Sequence, residues 1–178
     1  MVERQVVVNQ KTLGVILAGG RSSRMGQNKA LMMFKGEPLV EHMINILKDT
    51  GTENIIISGE VQGYNYEADE SSFEGPARAI ESIIRKFTGY NSYLFIPVDM
   101  PFLSVGVLRT LMQEGGSAYY QDWPLPAFIT PQNWEGEVNS VRHFMEKQEA
   151  KIISIPSQYN DNFININTPE EWKEAVQS

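Results

Sequence analysis

The segment Leu17–Lys29 combines residue types that could bind an anion. Its sequence, LAGGRSSRMGQNK, holds three glycines, two serines and three cationic side chains. Glycine lets backbone N–H groups approach phosphate oxygens because no Cβ lies in the way. Arg24 and Lys29 add positive charge that could neutralise a triphosphate. The segment therefore predicts a site for a phosphate-bearing ligand.

The spacing within this segment excludes two common phosphate-binding motifs. A P-loop has the pattern G-x-x-x-x-G-K-[ST], whereas here Gly20 and Gly26 are six residues apart and Lys29 is followed by Ala30. The dinucleotide fingerprint G-x-G-x-x-G is also absent. We therefore expect neither a P-loop protein nor an NAD-dependent enzyme.

Asp99 is a second candidate for chemistry. It follows the apolar run Tyr93–Val98, which predicts a strand, so its carboxylate would lie at the carboxyl end of that strand. Mg²⁺ takes one or two protein carboxylates and completes its coordination with water and substrate phosphates. One aspartate at this place is therefore sufficient for a magnesium site beside the glycine-rich segment.

Two asparagines near the C-terminus form a third candidate. Residues two apart on an extended strand point to the same face, so Asn165 and Asn167 could both reach a shared site while Ile166 turns into the core. Thr168 and Glu171 have the spacing of a capping box, which predicts that a helix starts directly after this pair.

Hydrophobic periodicity predicts the framework that must hold these residues together. Apolar runs predict strands at Leu13–Leu17, Asn54–Ser58, Tyr93–Val98, Ser117–Tyr120, Pro126–Ile129, Ile152–Ile155 and Asn162–Ile166. Helical spacing and capping residues predict helices that begin at Pro38, Pro76, Ser104, Ser140 and Thr168. The connection from Gly19 to about Gly36 is expected to be a loop. This alternation predicts an α/β fold, a three-layer α/β/α sandwich with a mostly parallel sheet.

Composition narrows the class of protein. A chain of 178 residues predicts a single domain, with residues 1–11 as a flexible N-terminal segment. The formal net charge of −7 argues against a protein that coats nucleic acid or anionic membranes. The absence of cysteine excludes disulfides, thiolate zinc sites and cysteine nucleophiles. No signal peptide or membrane-spanning stretch is recognised, so we expect a cytoplasmic protein.

Three motifs together resemble one family. The string L-A-G-G-x-S-x-R-M-G-x-x-K, the P-x-D-x-P pattern around Asp99 and the N-x-N-T-P-E pattern from Asn165 are similar to motifs of nucleotidyltransferases of the molybdenum cofactor guanylyltransferase type. The resemblance implies the Rossmann-like fold of nucleoside-diphospho-sugar transferases. It also implies transfer of GMP from GTP to the terminal phosphate of molybdopterin, with release of pyrophosphate and with Mg²⁺ as cofactor.

The resemblance further implies roles for individual residues. Catalytic roles are implied for Arg24, Lys29 and Asp99, and a metal site for Asp99 and Asn167. Nucleotide binding is implied for Leu17, Ala18, Gly19, Gly20, Arg21, Ser22, Lys29, Asp69, Gly75, Pro76 and Asp99. The family's nucleoside-binding aspartate aligns best with Asp69, with Glu67 or Glu70 as alternatives.

The acceptor side rests on fewer residues. The resemblance implies contacts with Asn165, Asn167 and Pro126, the last within a stretch similar to the family's P-L-P-A segment. Trp123 and Trp134 could stack on a pterin, although aromatic residues in loops more often cover the edge of a core. Transient contacts with other cofactor-biosynthesis proteins or apo-molybdoenzymes are compatible with this role.

Departures from the family pattern lie near the expected base site and leave alternatives open. Ser58-Gly59-Glu60 stands where Ser-Ala-Asn is often found, and Ala77-Arg78-Ala79 replaces Leu-Ala-Gly. The Gly19-Gly20 pair favours GTP, since relatives that use CTP or UTP often carry Ala-Ala-Gly at this point. The alternatives are a cytidylyl- or other nucleotidyltransferase acting on molybdopterin or on a sugar or alcohol phosphate, and a nucleotide-binding protein without catalysis.

Overall fold

The computed structural model describes residues 11–19, 28–68 and 75–177. Several of the residues implied above in nucleotide binding or catalysis fall in the gaps, namely Gly20, Arg21, Ser22, Arg24 and Asp69. The N-terminal segment that the sequence predicts to be flexible also lies outside the described residues, except for Lys11.

Nine strands occur in the described ranges. They are β1 (Thr12–Leu17), β2 (Met33–Phe34), β3 (Glu37–Pro38), β4 (Asn54–Ser58), β5 (Tyr66–Glu67), β6 (Ser92–Pro97), β7 (Ala118–Tyr120), β8 (Trp123–Ile129) and β9 (Lys151–Ile153). Strands β2 and β3 pair as a separate hairpin, and the other seven form one sheet in the order β5-β4-β1-β6-β8-β7-β9. Within that sheet β8 runs antiparallel to both neighbours, while the remaining pairs are parallel.

Helices cover both faces of the sheet. They are α1 (Leu39–Asp49), α2 (Pro76–Lys86), α3 (Val105–Met112), α4 (Val141–Lys147) and α5 (Pro169–Ala175). The apolar sides of α1, α3 and α5 bury one core against the sheet, and those of α2 and α4 bury a second core on the opposite face. Because each helix has an apolar stripe and each central strand is apolar on both faces, burial of these surfaces drives the assembly. The predicted three-layer α/β/α sandwich is confirmed.

Local signals for helix ends are also confirmed. Ser104, Ser140 and Thr168 each accept a hydrogen bond from the backbone N–H of the third residue of the helix that follows. Glu171 completes the capping box by accepting hydrogen bonds from the backbone N–H groups of Asn167 and Thr168. These caps satisfy N–H groups that a helix leaves unpaired, so they set where α3, α4 and α5 begin.

Three local predictions are wrong. The segment Asn162–Ile166 forms no strand: a 3-10 helix covers Ser157–Asn162, and the residues after it pair with no strand. The stretch up to Gly36 is not a plain loop, because its described part contains a 3-10 helix at Lys29–Leu31 and β2. Pro38 precedes α1 rather than opening it, since it pairs with Met33 in the β2–β3 hairpin.

The reversed direction of β8 matters for the site. Tyr93, Leu94 and Phe95 of β6 pair with Ile129, Phe128 and Ala127 of β8 in antiparallel register. Extending this register brings the start of β8 to the edge where β6 ends. Trp123, Pro124 and Leu125 at the start of β8 therefore lie beside the carboxyl ends of the parallel strands β1 and β6.

A search of the described residues for a membrane-spanning helix finds none with the necessary length and hydrophobicity.

Candidate active site

A cleft of about 380 Å³ lies at the carboxyl ends of β1 and β6. Residues from the glycine-rich segment, from the end of β6, from the start of β8 and from the C-terminal asparagine segment line it. They are Leu17, Ala18, Gly19, Asn28, Lys29, Ala30, Pro76, Pro97, Val98, Asp99, Met100, Trp123, Pro124, Leu125, Asn165 and Asn167. The three candidate groups that lie far apart in the sequence thus meet in one cleft.

Lys29 contacts two other segments at this cleft. The residue is only 9% exposed, and its ammonium group donates to the backbone carbonyl of Ile166 and, over 3.3 Å, to Asn167 Oδ1. Nζ also lies 3.8 Å from Asp99 Oδ2. Burial lowers the pKa of Lys29, and the neighbouring Asp99 carboxylate opposes that shift. The lysine therefore joins the end of β6 to the C-terminal segment.

Asp99 is held by backbone as well as by Lys29. The Ile166 N–H donates to the Asp99 carbonyl over 2.8 Å, and the Val98 N–H donates to the Leu17 carbonyl over 3.1 Å. Burial raises the pKa of Asp99, and the ammonium of Lys29 opposes this shift. The carboxylate keeps part of its surface open, with a side chain 29% exposed. A partly buried carboxylate at the floor of a cleft is suited to bind a cation or a phosphate-bound metal.

The two asparagines reach the cleft without a strand. Ile166 between them is 1% exposed and belongs to the core that α1, α3 and α5 cover. Asn165 and Asn167 line the cleft on the other side of the chain. The capping box of α5 fixes the backbone here, because Glu171 Oε2 accepts from the Asn167 N–H over 2.5 Å. These hydrogen bonds also lower the pKa of Glu171.

The two described ends of the glycine-rich segment are anchored to the last residue of β4 and to a residue shortly after it. The backbone N–H groups of Ala18 and Gly19 both donate to the Ser58 carbonyl, over 2.8 and 3.0 Å. At the other end, Asn28 Nδ2 donates to the Glu60 carbonyl over 3.1 Å, while Asn28 Oδ1 caps the 3-10 helix that carries Lys29. The end of β4 and the residues after it therefore fix where the glycine-rich segment starts and where Lys29 lies.

Gly59 allows this anchoring. Its φ is +100°, a value that L side chains rarely adopt, and a Cβ there would lie 2.3 Å from the Gly19 nitrogen. Sequence reasoning treated Gly59 only as a departure from the family pattern and missed Asn28. A glycine directly after a buried strand is the signal that could have indicated a close backbone approach.

Comparison with known proteins shows the family and the fold. Residues 14–128 match the MobA-like NTP transferase domain. The chain belongs to this family. The molybdenum cofactor guanylyltransferase of Xanthomonas euvesicatoria is 31% identical, over 92% of this chain and 93% of its own. Molybdopterin-guanine dinucleotide biosynthesis protein A from Archaeoglobus fulgidus has the same fold, with a TM-score of 0.68, 20% identity and coverage of 93% and 97% of the two chains.

A further solved structure of this fold contains a metal. Rv0371C from Mycobacterium tuberculosis, in complex with manganese, matches with a TM-score of 0.64 at 14% identity, over 94% of this chain and 99% of that chain. At that identity the likeness concerns the fold. The present chain is thus a MobA-like nucleotidyltransferase with the nucleotide-diphospho-sugar transferase fold.

The MobA-like motifs are only partly brought together in the described residues. Leu17, Ala18, Gly19, Lys29, Pro76, Asp99, Asn165 and Asn167 line the cleft. Gly75 directly precedes Pro76 and is exposed, and it does not line the cleft. Pro126 is buried and also does not line the cleft, so its expected acceptor contact has no geometric support.

Of the three candidates for contact with the nucleoside, only Glu67 lies in the described residues. Glu67 pairs with Lys86 of α2, which engages its carboxylate away from the cleft lining. Asp69 and Glu70 lie outside the described residues.

The donor set of this MobA-like cleft fits a divalent metal. Asp99 Oδ2 and Asn167 Oδ1 lie 3.8 and 3.3 Å from the same Lys29 nitrogen, so a carboxylate and an amide oxygen face one small volume. No group of three or more acidic or histidine side chains that could hold a metal occurs in the part of the chain described. One carboxylate and one amide oxygen form an open donor set, which suits a metal that also binds substrate phosphates.

Proposed function

We propose that this chain transfers GMP from GTP to the terminal phosphate of molybdopterin and releases pyrophosphate. The observation that carries the proposal is the convergence of Lys29, Asp99 and Asn167 on one cleft at the end of the glycine-rich segment. The Xanthomonas euvesicatoria relative, a molybdenum cofactor guanylyltransferase by name, supports the choice of nucleotide and acceptor.

We further propose Mg²⁺ as the cofactor, held by Asp99 and Asn167. When bound, it supplies positive charge to the phosphates around the reacting phosphorus. The protein's own contribution is then positional and electrostatic. Lys29 places an ammonium in the cleft. Because the N–H groups of Ala18 and Gly19 already donate to the Ser58 carbonyl, the backbone N–H groups for the triphosphate would come from the residues after Gly19, which lie outside the described ranges. Arg24, outside the described residues, would add a second cation.

The acceptor supplies the nucleophile in this proposal. Phosphate monoesters have a second pKa of about 6, so a terminal phosphate oxygen is already ionised at neutral pH. A general base is therefore not required. The titratable side chains among the described residues that line the cleft are Lys29 and Asp99. His42 instead contacts the Pro101 carbonyl over 2.9 Å, outside the cleft lining.

The test is pyrophosphate release with Mg²⁺ and each of GTP, CTP, UTP and ATP, with and without molybdopterin. The proposal expects release with GTP alone among the nucleotides, and only when molybdopterin is present. Release with CTP would instead make the protein a cytidylyltransferase. Nucleotide binding without release would support a non-catalytic nucleotide-binding protein.

Asp99→Asn gives a sharper test of the site. The change keeps the size of the side chain but removes its negative charge, and turnover should fall at least about 100-fold, as on loss of one group that stabilises the transition state. Asp49→Asn is the matched control, because the Asp49 side chain is exposed on α1 and only its carbonyl is used, by Arg109. Near-normal turnover of Asp99→Asn would refute the assigned metal role.

Cellular context completes the proposal. We propose that a single domain carries out the reaction in the cytoplasm. Its product would then pass to apo-molybdoenzymes, directly or through other cofactor-biosynthesis proteins.

A further inference from the structure

The structure separates the two tryptophans that the sequence offers as pterin-stacking candidates. Trp134 packs on Phe144, with ring centroids 5.1 Å apart, and donates from Nε1 to Glu81, so it belongs to the core between α2 and α4. Trp123 is half-buried and lines the cleft together with Asp99. We propose that Trp123 is the platform on which the pterin ring of the acceptor stacks, an inference that rests on the proposed function.

The order of strands places Trp123 on the acceptor side. Strands β1, β6 and β8 are neighbours in the sheet. The glycine-rich segment follows β1, Asp99 follows β6, and Trp123 begins β8. A triphosphate on the β1 side and a phosphorus atom near Asp99 leave the β8 side for the group that attacks. The ring attached to the attacking phosphate would therefore meet Trp123.

Two further aromatic residues support the platform. The ring centroid of Trp123 lies 5.6 Å from that of Phe163, and Phe163 lies 4.9 Å from Tyr120 in an edge-to-face arrangement. Tyr120 is fully buried, and its hydroxyl donates to the Val107 carbonyl over 2.8 Å. Since these contacts fix the indole before any ligand arrives, stacking costs little further side-chain entropy.

The same aromatic cluster positions the asparagine segment. Phe163 is two residues before Asn165, and Ser104 at the start of α3 donates to the Asn162 side chain over 2.9 Å. An aromatic side chain, Trp123, and a side-chain amide, Asn165, thus both line the cleft. A pterin has a flat pyrimidine ring with a polar edge, so it matches an aromatic face flanked by an amide.

The experiment measures binding by titration calorimetry with 6-hydroxymethylpterin phosphate, ribose 5-phosphate and GTP as separate probes. The proteins are the full-length chain, Trp123→Ala, Trp123→Phe and, as the matched control, Trp134→Phe. Loss of an aromatic stacking partner weakens binding of a flat base between about 5- and 100-fold. We expect that loss for pterin phosphate with Trp123→Ala, and a change of less than about threefold with Trp123→Phe. Binding of GTP and ribose 5-phosphate should be unchanged in every variant, which also shows that the cleft is intact.

Each other outcome overturns a distinct statement. Equal binding of pterin phosphate to Trp123→Ala and to the unchanged chain would refute the platform and leave the proposed function standing. If Trp123→Ala weakens GTP binding and leaves pterin phosphate binding unaffected, the platform is refuted, because the Trp123 indole then stacks on guanine. If the unchanged chain binds GTP but no pterin phosphate, the proposed acceptor and the platform both fall.

Discussion

At the scale of single residues, the backbone conformation of Gly59 determines how closely the start of the glycine-rich segment approaches the end of β4. In Gly59→Ala the new Cβ would lie 2.3 Å from the Gly19 nitrogen, so the entry to the phosphate-binding segment must shift. We expect the KM for GTP to rise at least tenfold, because a displacement of about 1 Å costs on the order of 100-fold in a positioned site. Steady-state pyrophosphate release with varied GTP measures this effect.

Gly63→Ala is the control for that substitution. Gly63 also has a positive φ, +88°, but a Cβ there would meet nothing within 4 Å. Both variants should therefore lose about 1–2 kcal/mol in free energy of unfolding from the backbone conformation alone. Only Gly59→Ala should raise the KM for GTP. Equal KM values in the two variants would show that the contact with Gly19 has no role in nucleotide binding.

At the scale of elements, Glu81 ties α2 to the chain that leads into α4. Its carboxylate accepts hydrogen bonds from Arg85 over 3.0 Å, from Arg78 over 3.1 Å and from Trp134 Nε1 over 3.2 Å. Burial raises the pKa of Glu81, but the hydrogen bonds from these three partners outweigh it, so the pKa is lowered from its ordinary value of 4.5. The folded chain therefore binds a proton at this site less readily than the unfolded chain.

The lowered pKa of Glu81 makes the free energy of unfolding depend on pH. A carboxyl group with a lowered folded pKa stabilises the fold above its unfolded pKa, and the contribution is lost as pH falls through the folded value. Glu81→Gln should reduce the free energy of unfolding by about 1–3 kcal/mol at pH 7. The deficit should shrink steadily below about pH 4.5. Urea unfolding at a series of pH values measures it, with the exposed Glu146→Gln on α4 as control. A deficit that is independent of pH would contradict the assigned ionic role.

The elements also show how far the sequence could predict the structure. Central strands such as β1 and β6 were predicted almost to the residue, because an apolar run buried on both faces has a local signature. The segment after Asn162 was not, because its alternation of Ile166 with exposed asparagines looks like a strand. Two long-range contacts, with Lys29 and with the Asp99 carbonyl, replace strand pairing there, and the local capping box of α5 adds to them.

In the candidate site, too, residues with a local sequence signal were predicted and residues whose role depends on long-range contacts were not. Lys29, Asp99 and Asn167 were predicted because each lies in a motif with fixed spacing, and the structure brings them together. Gly59 escaped prediction because its role depends on Gly19, forty residues earlier in the chain. Trp123 could not be separated from Trp134 by sequence, because the distinction depends on which face of the sheet each one covers.

At the scale of the whole molecule, the cleft joins segments from the beginning, middle and end of the chain, so nucleotide binding should stabilise the complete fold. Ligand at 100 times its Kd adds about 2.7 kcal/mol to the free energy of unfolding. For a chain of this size that raises Tm by roughly 5–10 °C. Thermal unfolding with and without GTP and Mg²⁺ measures the shift.

Lys29→Met tests whether the buried lysine transmits that stabilisation. The substitution leaves the largely buried Asp99 carboxylate without its cationic neighbour and the Ile166 carbonyl without its donor, so Tm without ligand should fall by several degrees while the chain stays folded. The rise with GTP and Mg²⁺ should nearly vanish, whereas Lys48→Met, an exposed change on α1, should retain it. If Lys29→Met keeps the full rise, the triphosphate does not bind at this lysine. If it unfolds without ligand while Lys48→Met does not, Lys29 is chiefly a structural link between β6 and the C-terminal segment.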